Sequence, residues 1–392
     1  MKTFNVYPLQ NITPLKAKGS YLWDNKNQKY LDLYGGHAVI SIGHGHPHYV
    51  SKITEQLQNI AFYSNSVMNP LQDELAQKLG ELSGYTDYNL FLCNSGAEAN
   101  ENALKLASFH NGRKKVIAFS KSFHGRTSLA VAATNDASIQ ANINSHEVIF
   151  VELNNEDAFI NAMDESICAV IIEGIQGVAG IHIPENSFLQ LIEQKCKEFD
   201  AVFIADEVQS GYGRTGKFFA HQYANVKPDL ITVAKGMGNG FPIAGVLIHP
   251  EFEAKYGLLG TTFGGNHLAC TAGIAVLDVI KKENLIENAA ILGEKWVHEL
   301  KLMDGIKEVR GKGLMIGIEL EFPISELKQV LSSEYNILVG TASNKNVIRL
   351  LPALTISEKE IELFNKTLNN CLKTVSSSRL LSGVVENCIN KK

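Results

Sequence analysis

An α/β fold, built on a mostly parallel sheet and carrying a smaller α+β domain, is what the sequence predicts from three observations. Between residues 89 and 250, short apolar or β-branched runs of strand length alternate with helical stretches, the mark of successive strand–helix units feeding one helix-covered sheet. After Asn266 the pattern changes to two long helices followed by short strands. With 392 residues, 45% of them hydrophobic, the chain can bury one large core and a second, smaller one.

The strands of the large sheet are expected at 89–93, 116–119, 148–153, 169–172, 202–205, 230–233 and 244–248. Ligands of open parallel sheets gather at the carboxyl ends of strands, which singles out 94–97, 173–177, 206–209 and 234–236. Beyond Asn266, helices are expected at 267–282 and 286–303, strands at 308–309, 314–320 and 347–350, and a last helix at 358–373. Four segments follow: 1–45, of strand-and-turn character and joining the small domain; 46–266, the large domain; 267–375, the C-terminal small domain; and a tail, 376–392. That tail is polar or weakly periodic, with a triple serine as a hinge, and is expected to be partly disordered.

Composition narrows the partners. A formal net charge of -5 without any block of like charges argues against nucleic acid and for small molecules. Residues 1–20 hold no apolar core of a signal peptide, and the longest apolar runs are far shorter than a bilayer span, so no membrane association and a cytoplasmic location are expected. Cys93, Cys168, Cys196, Cys270, Cys371 and Cys388 are scattered with no C-x-x-C pair, as suits reduced, packed thiols better than disulfides or zinc.

Four groups of residues at the strand ends share one chemistry. Asp206 ends the apolar run 202–205, with Val208 and Gln209 just beyond it. Lys235 ends the next strand and is followed by Gly236, Gly238 and Gly240, which leave room for a bulky group. Ser95-Gly96-Ala97 stands between a strand and a helix, where backbone N–H groups and the helix dipole favour an anion. Phe123-His124-Gly125-Arg126 follows the strand 116–119, offering an aromatic ring and a guanidinium. Pyridoxal 5'-phosphate takes these things from a protein: a lysine for its aldehyde, a carboxylate for its ring nitrogen, donors for its phosphate and packing for its ring faces. Lys235, Asp206, Ser95 to Ala97, and Phe123 with Val208 are the candidates; Gln209 could reach the ring hydroxyl, and Arg126 a substrate carboxylate.

Each candidate has a plainer reading. A lysine at a strand end is common, Ser95 could be a simple N-cap, and Arg126 could sit in a structural salt bridge. The joint occurrence of Asp206 and Lys235 on neighbouring strands is what favours the functional reading. Two further motifs lose to their context. Gly211-Tyr212-Gly213-Arg214-Thr215-Gly216 matches G-x-G-x-x-G, and Lys217 nearly completes a phosphate loop. Phe218 stands where Ser or Thr would bind magnesium, no clear helix start follows, and Asp206 to Ser210 separate the glycines from the strand. A tight turn forming part of the active-site wall is expected there instead. His44, His46 and His48 alternate with Gly45 and Pro47, which signals a turn rather than a metal site.

Taken together, the segments LYGGHAVISIGHGHP, NSGAEANENALKLA, FHGRT, ADEVQSGYGRTGKFFA, TVAKGMGNGFPIAG and TTFGGNHLAC resemble the class III aminotransferases of PLP fold type I, over nearly the whole chain from Pro14 to about Leu372. Within that class they look most like acetylornithine aminotransferases. The resemblance implies the roles given above for Phe123, Asp206, Val208, Gln209 and Lys235. It implies a homodimer in which Thr262 of one subunit binds the phosphate held by Gly96 and Ala97 of the other. It assigns Arg126 to the far carboxylate of the substrate, and Arg349, in VIRLLPALTIS, to the α-carboxylate of glutamate.

The reaction so implied moves the terminal amino group of N-acetylornithine or N-succinylornithine to 2-oxoglutarate, giving the semialdehyde and glutamate, a step of arginine biosynthesis. Ornithine and 4-aminobutyrate are alternative donors, and a nucleotide-binding oxidoreductase is the remote alternative. One position departs from the family: its E-P-x-Q-G-E-G-G appears as Glu173-Gly174-Ile175-Gln176-Gly177-Val178-Ala179-Gly180. In related ornithine-type enzymes the second glutamate pairs with the arginine equivalent to Arg349. With Val178 in its place, Arg349 is expected to be uncovered or to have another partner.

Overall fold

The computed structural model describes residues 1–389, and side chains as far as residue 374. Strands β1 (Pro14–Lys18), β2 (Tyr21–Asp24) and β3 (Lys29–Asp32) open the chain. β4 (Asn89–Cys93), β5 (Lys115–Phe119), β6 (Val148–Val151), β7 (Ile167–Glu173), β8 (Val202–Asp206), β9 (Leu230–Val233) and β10 (Ala244–Ile248) follow. β11 (Glu308–Lys312), β12 (Met315–Glu319), β13 (Ile337–Leu338), β14 (Gly340–Thr341) and β15 (Val347–Leu350) come last.

β4 to β10 form one sheet in the order β4-β10-β9-β8-β7-β5-β6. β10 pairs antiparallel with both β4 and β9, and the other pairings are parallel. β7 and β8 are buried along their whole length, as a sheet covered on both faces demands. The helix Gly96–Asn111 packs on β7 to β10 from one side, and Asn186–Phe199 on β7 and β8. Phe119, Phe159 and Phe188 fill the core under the second helix, with ring centroids 5.5 to 6.3 Å apart. Burying each such ring contributes about 2–3 kcal/mol.

Two smaller sheets complete the fold, ordered β1-β2-β3-β13 and β11-β12-β15-β14. The parallel pairing of β3 with β13 joins the start of the chain to its last third. The helices His267–Lys282 and Leu285–Lys301 precede these C-terminal strands. The final helix runs from Glu358 to Ile389, straight through the triple serine read above as a hinge; residues 390–392 of the expected tail lie outside the described residues.

The glycine-rich loop 211–216 differs from expectation. It does not border the central cavity; instead it packs on the C-terminal layer, where Gly213 meets Ile286 and Gly216 meets Ala290 too closely for any side chain. Arg214, fully buried, donates to the carbonyls of Leu314 and Pro352, and burial pushes its guanidinium down to about 9. The three alternating histidines each meet a different carboxylate: His44 with Asp32 at 2.9 Å, His46 with Glu283 at 2.9 Å and His48 with Asp278 at 3.3 Å. Cys93, Cys168, Cys196, Cys270 and Cys371 are buried and unbridged; the Cys388 side chain lies outside the described residues. Among the described residues, no helix is long and apolar enough to cross a membrane.

Candidate active site

The carboxyl ends of β4, β5, β7, β8 and β9 open into a cavity of about 400 Å³. Its wall holds Ser95, Gly96, Ala97, Phe123, Arg126, Asp206, Val208, Gln209 and Lys235, with Asn94, Asn100, His124, Glu173 and Val178 beside them. Strand register explains the convergence. Asp206 is paired with Thr232 across β8 and β9, so its carboxylate and Lys235 emerge at adjacent strand ends. The tightly buried Asp206 carboxylate is fully engaged. Oδ2 accepts from Asn100 Nδ2 at 2.8 Å and faces His124 Nδ1 at 2.7 Å, while Oδ1 accepts from the Val208 N–H at 3.0 Å. Thr232 donates its hydroxyl to Asn100 Oδ1 at 2.7 Å, which fixes the direction of that amide. His124 Nε2 is buried without a partner among the described residues.

Lys235 takes a left-handed φ of 45° at the start of a short 3-10 turn. Burial lowers its amine from the ordinary lysine value, and Arg349 acts in the same direction; Asp206 and Glu173 oppose them. The three following glycines differ from the expected use. A side chain on Gly238 would strike the Phe241 carbonyl, and Gly236 packs against Ser41 and Tyr212; only Gly240 borders the cavity.

Gly96 and Ala97 open the helix Gly96–Asn111, where N–H groups have no intrahelical acceptors. Ser95 caps that helix, accepting from the Glu98 N–H at 3.2 Å, so the plain N-cap reading holds for its side chain. Two contacts keep the cradle open. A Cβ on Gly96 would lie 2.6 Å from Val208 Cγ1, and one on Gly125 would lie 2.5 Å from Ala97 Cβ. Thr262 is exposed and stands outside the cavity of its own chain. It sits on a loop tied down by Asn65, Asn69, Gln72 and Asn94.

The two arginines sit differently. Arg126 is exposed at the cavity wall and forms no salt bridge among the described residues. Arg349 is buried just behind the wall and bonded to three neutral oxygens. Nε donates to the Thr341 carbonyl at 2.5 Å, Nη1 to Gln209 Oε1 at 3.4 Å and Nη2 to the Tyr34 hydroxyl at 3.2 Å. Gln209 Nε2 in turn donates to the His37 carbonyl at 3.2 Å. The sequence marks Tyr34 only as the start of a segment, Tyr34 to Val39, that resembles the acylornithine enzymes; its contact with Arg349 comes from 315 positions away.

Glu173, read in the sequence as a strand end and as the first residue of the segment matching E-P-x-Q-G-E-G-G, is a second buried carboxylate. It accepts from the Phe123 N–H at 2.9 Å and the Gly177 N–H at 3.1 Å, so it braces two loops of the wall. Burial, with Asp206 adding to it, raises its carboxyl to about 7.

A lysine and a carboxylate at adjacent strand ends, facing a helix N-terminus across one cavity, define an α/β enzyme of PLP fold type I. Within that class the chain belongs to the aminotransferase class-III family, which matches residues 5–372; as such it takes an amine donor and a keto acid. The acetylornithine aminotransferase of Archaeoglobus fulgidus is 40% identical over 360 residues, covering 91% of this chain and 94% of that protein. The ornithine aminotransferase structure of Toxoplasma gondii ME49 superposes with a TM-score of 0.89 at 27% identity, over 96% of this chain and 93% of that one. The acetylornithine aminotransferase structure of Elizabethkingia anophelis does so with a TM-score of 0.84 at 32% identity, over 95% and 96%.

The raised carboxyl of Glu173 gives a pH test. Its folded value exceeds the ordinary 4.5, so the stability it confers is complete below about 4.5 and is lost as pH rises through about 7. Urea unfolding of the chain and of Glu173→Gln should therefore diverge across that window. The unsubstituted chain should lose on the order of 2–3 kcal/mol relative to the variant, and a difference independent of pH would contradict the assignment.

Proposed function

We propose that this chain is a pyridoxal-phosphate-dependent aminotransferase that moves the terminal amino group of N-acetylornithine, or of its N-succinyl counterpart, to 2-oxoglutarate. The observation that carries the reading is the pairing of a desolvated lysine, Lys235, with a thrice-bonded buried carboxylate, Asp206, on one cavity. The names of relatives that act on acetylornithine support the choice of donor. The cytoplasm is the proposed location.

The residues suit the cofactor. Gly96 and Ala97 at the helix N-terminus would hold its phosphate, Phe123 and Val208 its ring faces, and Asp206 its ring nitrogen. Gln209 keeps one amide N–H for the ring hydroxyl after donating the other to His37. When bound, pyridoxal phosphate supplies an aldehyde for amines and a ring that takes up the electron pair left on the substrate carbon. Lys235 would hold that aldehyde until a substrate amine replaces it. Its lowered proton affinity then suits it to carry the proton between substrate and cofactor carbon. Arg126 would bind the far carboxylate of either substrate, and Arg349 the α-carboxylate of glutamate or 2-oxoglutarate.

The second subunit is part of the proposal. Ile60, Phe62, Tyr63, Val67, Met68 and Phe263 are exposed around the Thr262 loop, and Phe62 packs on Phe263 with centroids 5.3 Å apart. An apolar surface of this kind marks an association site, and a second copy seated there would bring its Thr262 to the phosphate cradle.

Borohydride reduction of the holoenzyme should bleach its visible band and leave the label on Lys235. Acetylornithine or succinylornithine should discharge the unreduced band faster than ornithine or 4-aminobutyrate. A colourless protein that binds a nicotinamide cofactor would end this reading. Val178→Glu should raise the KM for 2-oxoglutarate more than that for the acylornithine; equal effects would remove Arg349 from the α-carboxylate role. Met68→Asp should shift sedimentation from dimer toward monomer and lower activity in parallel, whereas a fully active monomer would exclude the shared site.

A further inference from the structure

Arg349 is a buried cation whose hydrogen-bond acceptors are all neutral. Its three partners are a backbone carbonyl, an amide oxygen and a phenol, and the nearby cavity wall carries Val178 where the family pattern has a carboxylate. A guanidinium never gives up its proton here, so removing it from water calls for acceptors. Two of the three are side chains that can move.

Tyr34 is built into this position with unusual care. The backbone from Gly35 to Ala38 runs through four consecutive left-handed φ values, 54°, 57°, 67° and 66°. At His37 and Ala38 each costs about 1–2 kcal/mol relative to ordinary helix. That turn brings His37 Nδ1 onto the Tyr34 hydroxyl at short range and the His37 carbonyl onto Gln209. Gly340 lies beside Arg349 across β14 and β15, and a Cβ there would lie 2.2 Å from Tyr34 Cε2; only glycine leaves room for the ring. Arg349 can only donate, so the Tyr34 oxygen accepts from it and sends its own proton to His37. The imidazole is free to accept, because burial, with Arg349 and Lys235, lowers its proton affinity.

We propose that Tyr34, braced by His37, is a specificity-determining residue: its hydroxyl, with the Gln209 carbonyl, stands in for a carboxylate on Arg349 and withdraws when the α-carboxylate of a dicarboxylate arrives. This rests on the reading of Arg349 as the α-carboxylate site. An acylornithine presents no carboxylate next to its reacting amine, so the neutral partners stay in place throughout its half-reaction. 2-Oxoglutarate displaces them, and the displacement is cheap because a phenol and an amide hold the guanidinium less firmly than an anion does. One cavity can thereby accept two substrates whose carboxylates lie at different distances from the reacting carbon.

Glutarate, a dicarboxylate that cannot react, tests the exchange on the holoenzyme. Its affinity is read by calorimetry for the unsubstituted chain, Tyr34→Phe, His37→Asn and Arg349→Lys, and the two half-reactions are followed by single-turnover absorbance. Tyr34→Phe keeps the ring but removes the competing oxygen, so glutarate should bind about three- to tenfold tighter. The acylornithine half-reaction should slow relative to that with 2-oxoglutarate. His37→Asn tolerates the left-handed backbone and should act in the same direction, more weakly. Glutarate binding to Tyr34→Phe that is unchanged or weaker would overturn the proposal. If Arg349→Lys leaves glutarate binding untouched, the α-carboxylate assignment fails, and that failure is separate from the role of Tyr34.

Discussion

The Asp206 carboxylate sits in the sheet's interior, where an unpaired charge is costly enough that its partners dictate the positions of whole elements. Asn100 reaches it from the second turn of the helix Gly96–Asn111, so the N-terminus of that helix, with Gly96 and Ala97, is set relative to the carboxylate. His124 reaches it from the loop after β5, which fixes Phe123 and Arg126 on the same wall. Thr232 holds Asn100 from β9, three residues before Lys235. One buried anion thus fixes the relative positions of the helix N-terminus at Gly96, the loop of Phe123 and the lysine, the three places proposed to hold the cofactor. Each of those elements also contributes to burying it.

Close backbone contact is the second constraint. Gly96 lies against Val208, Gly125 against Ala97, and Gly177 against Gln209 at distances that exclude a Cβ. These glycines let side chains from a neighbouring helix and loop stand directly on the backbone, and so help shape the cavity. At Gly125 the φ of 136° adds a conformational reason to the steric one.

Much of this was legible in the sequence. The strands of the large sheet are short apolar runs with abrupt polar or glycine ends, and the observed bounds agree with the expected ones to within a few residues. The strand-end rule then led to Asp206, Lys235 and the segment at Ser95, which the fold gathers on one cavity. What stayed hidden depends on contacts between distant positions. The Gly35-Gly36 pair beside Tyr34 signals a turn, but not that the turn will deliver Tyr34 to Arg349. The loop 211–216 looked like part of the wall because its glycines resemble a ligand loop; they serve instead to let the C-terminal layer approach. Glu173 looked like one end of a strand, and its significance comes from the two backbone N–H groups that other segments bring to it.

The charged groups around the cavity are satisfied to different degrees, and that difference carries the chemistry. Asp206 has three donors and Glu173 two, and burial above all, with Asp206 as a like charge beside it, raises the Glu173 carboxyl to about 7. The pair therefore places less negative charge beneath Lys235 than two full carboxylates would. That leaves burial as the dominant influence on the lysine amine, consistent with the part in proton transfer proposed for it. On the other side, Arg126 is exposed and, like Arg349, forms no salt bridge among the described residues; the hydrogen bonds of Arg349 there go to neutral oxygens, while Glu173 acts on it as a carboxylate nearby. Two cations without salt-bridge partners among the described residues, near a floor that holds Asp206 and Glu173, leave the cavity electrostatically incomplete. On the roles proposed for Arg126 and Arg349, a molecule with two carboxylates and a reacting carbon between them completes it.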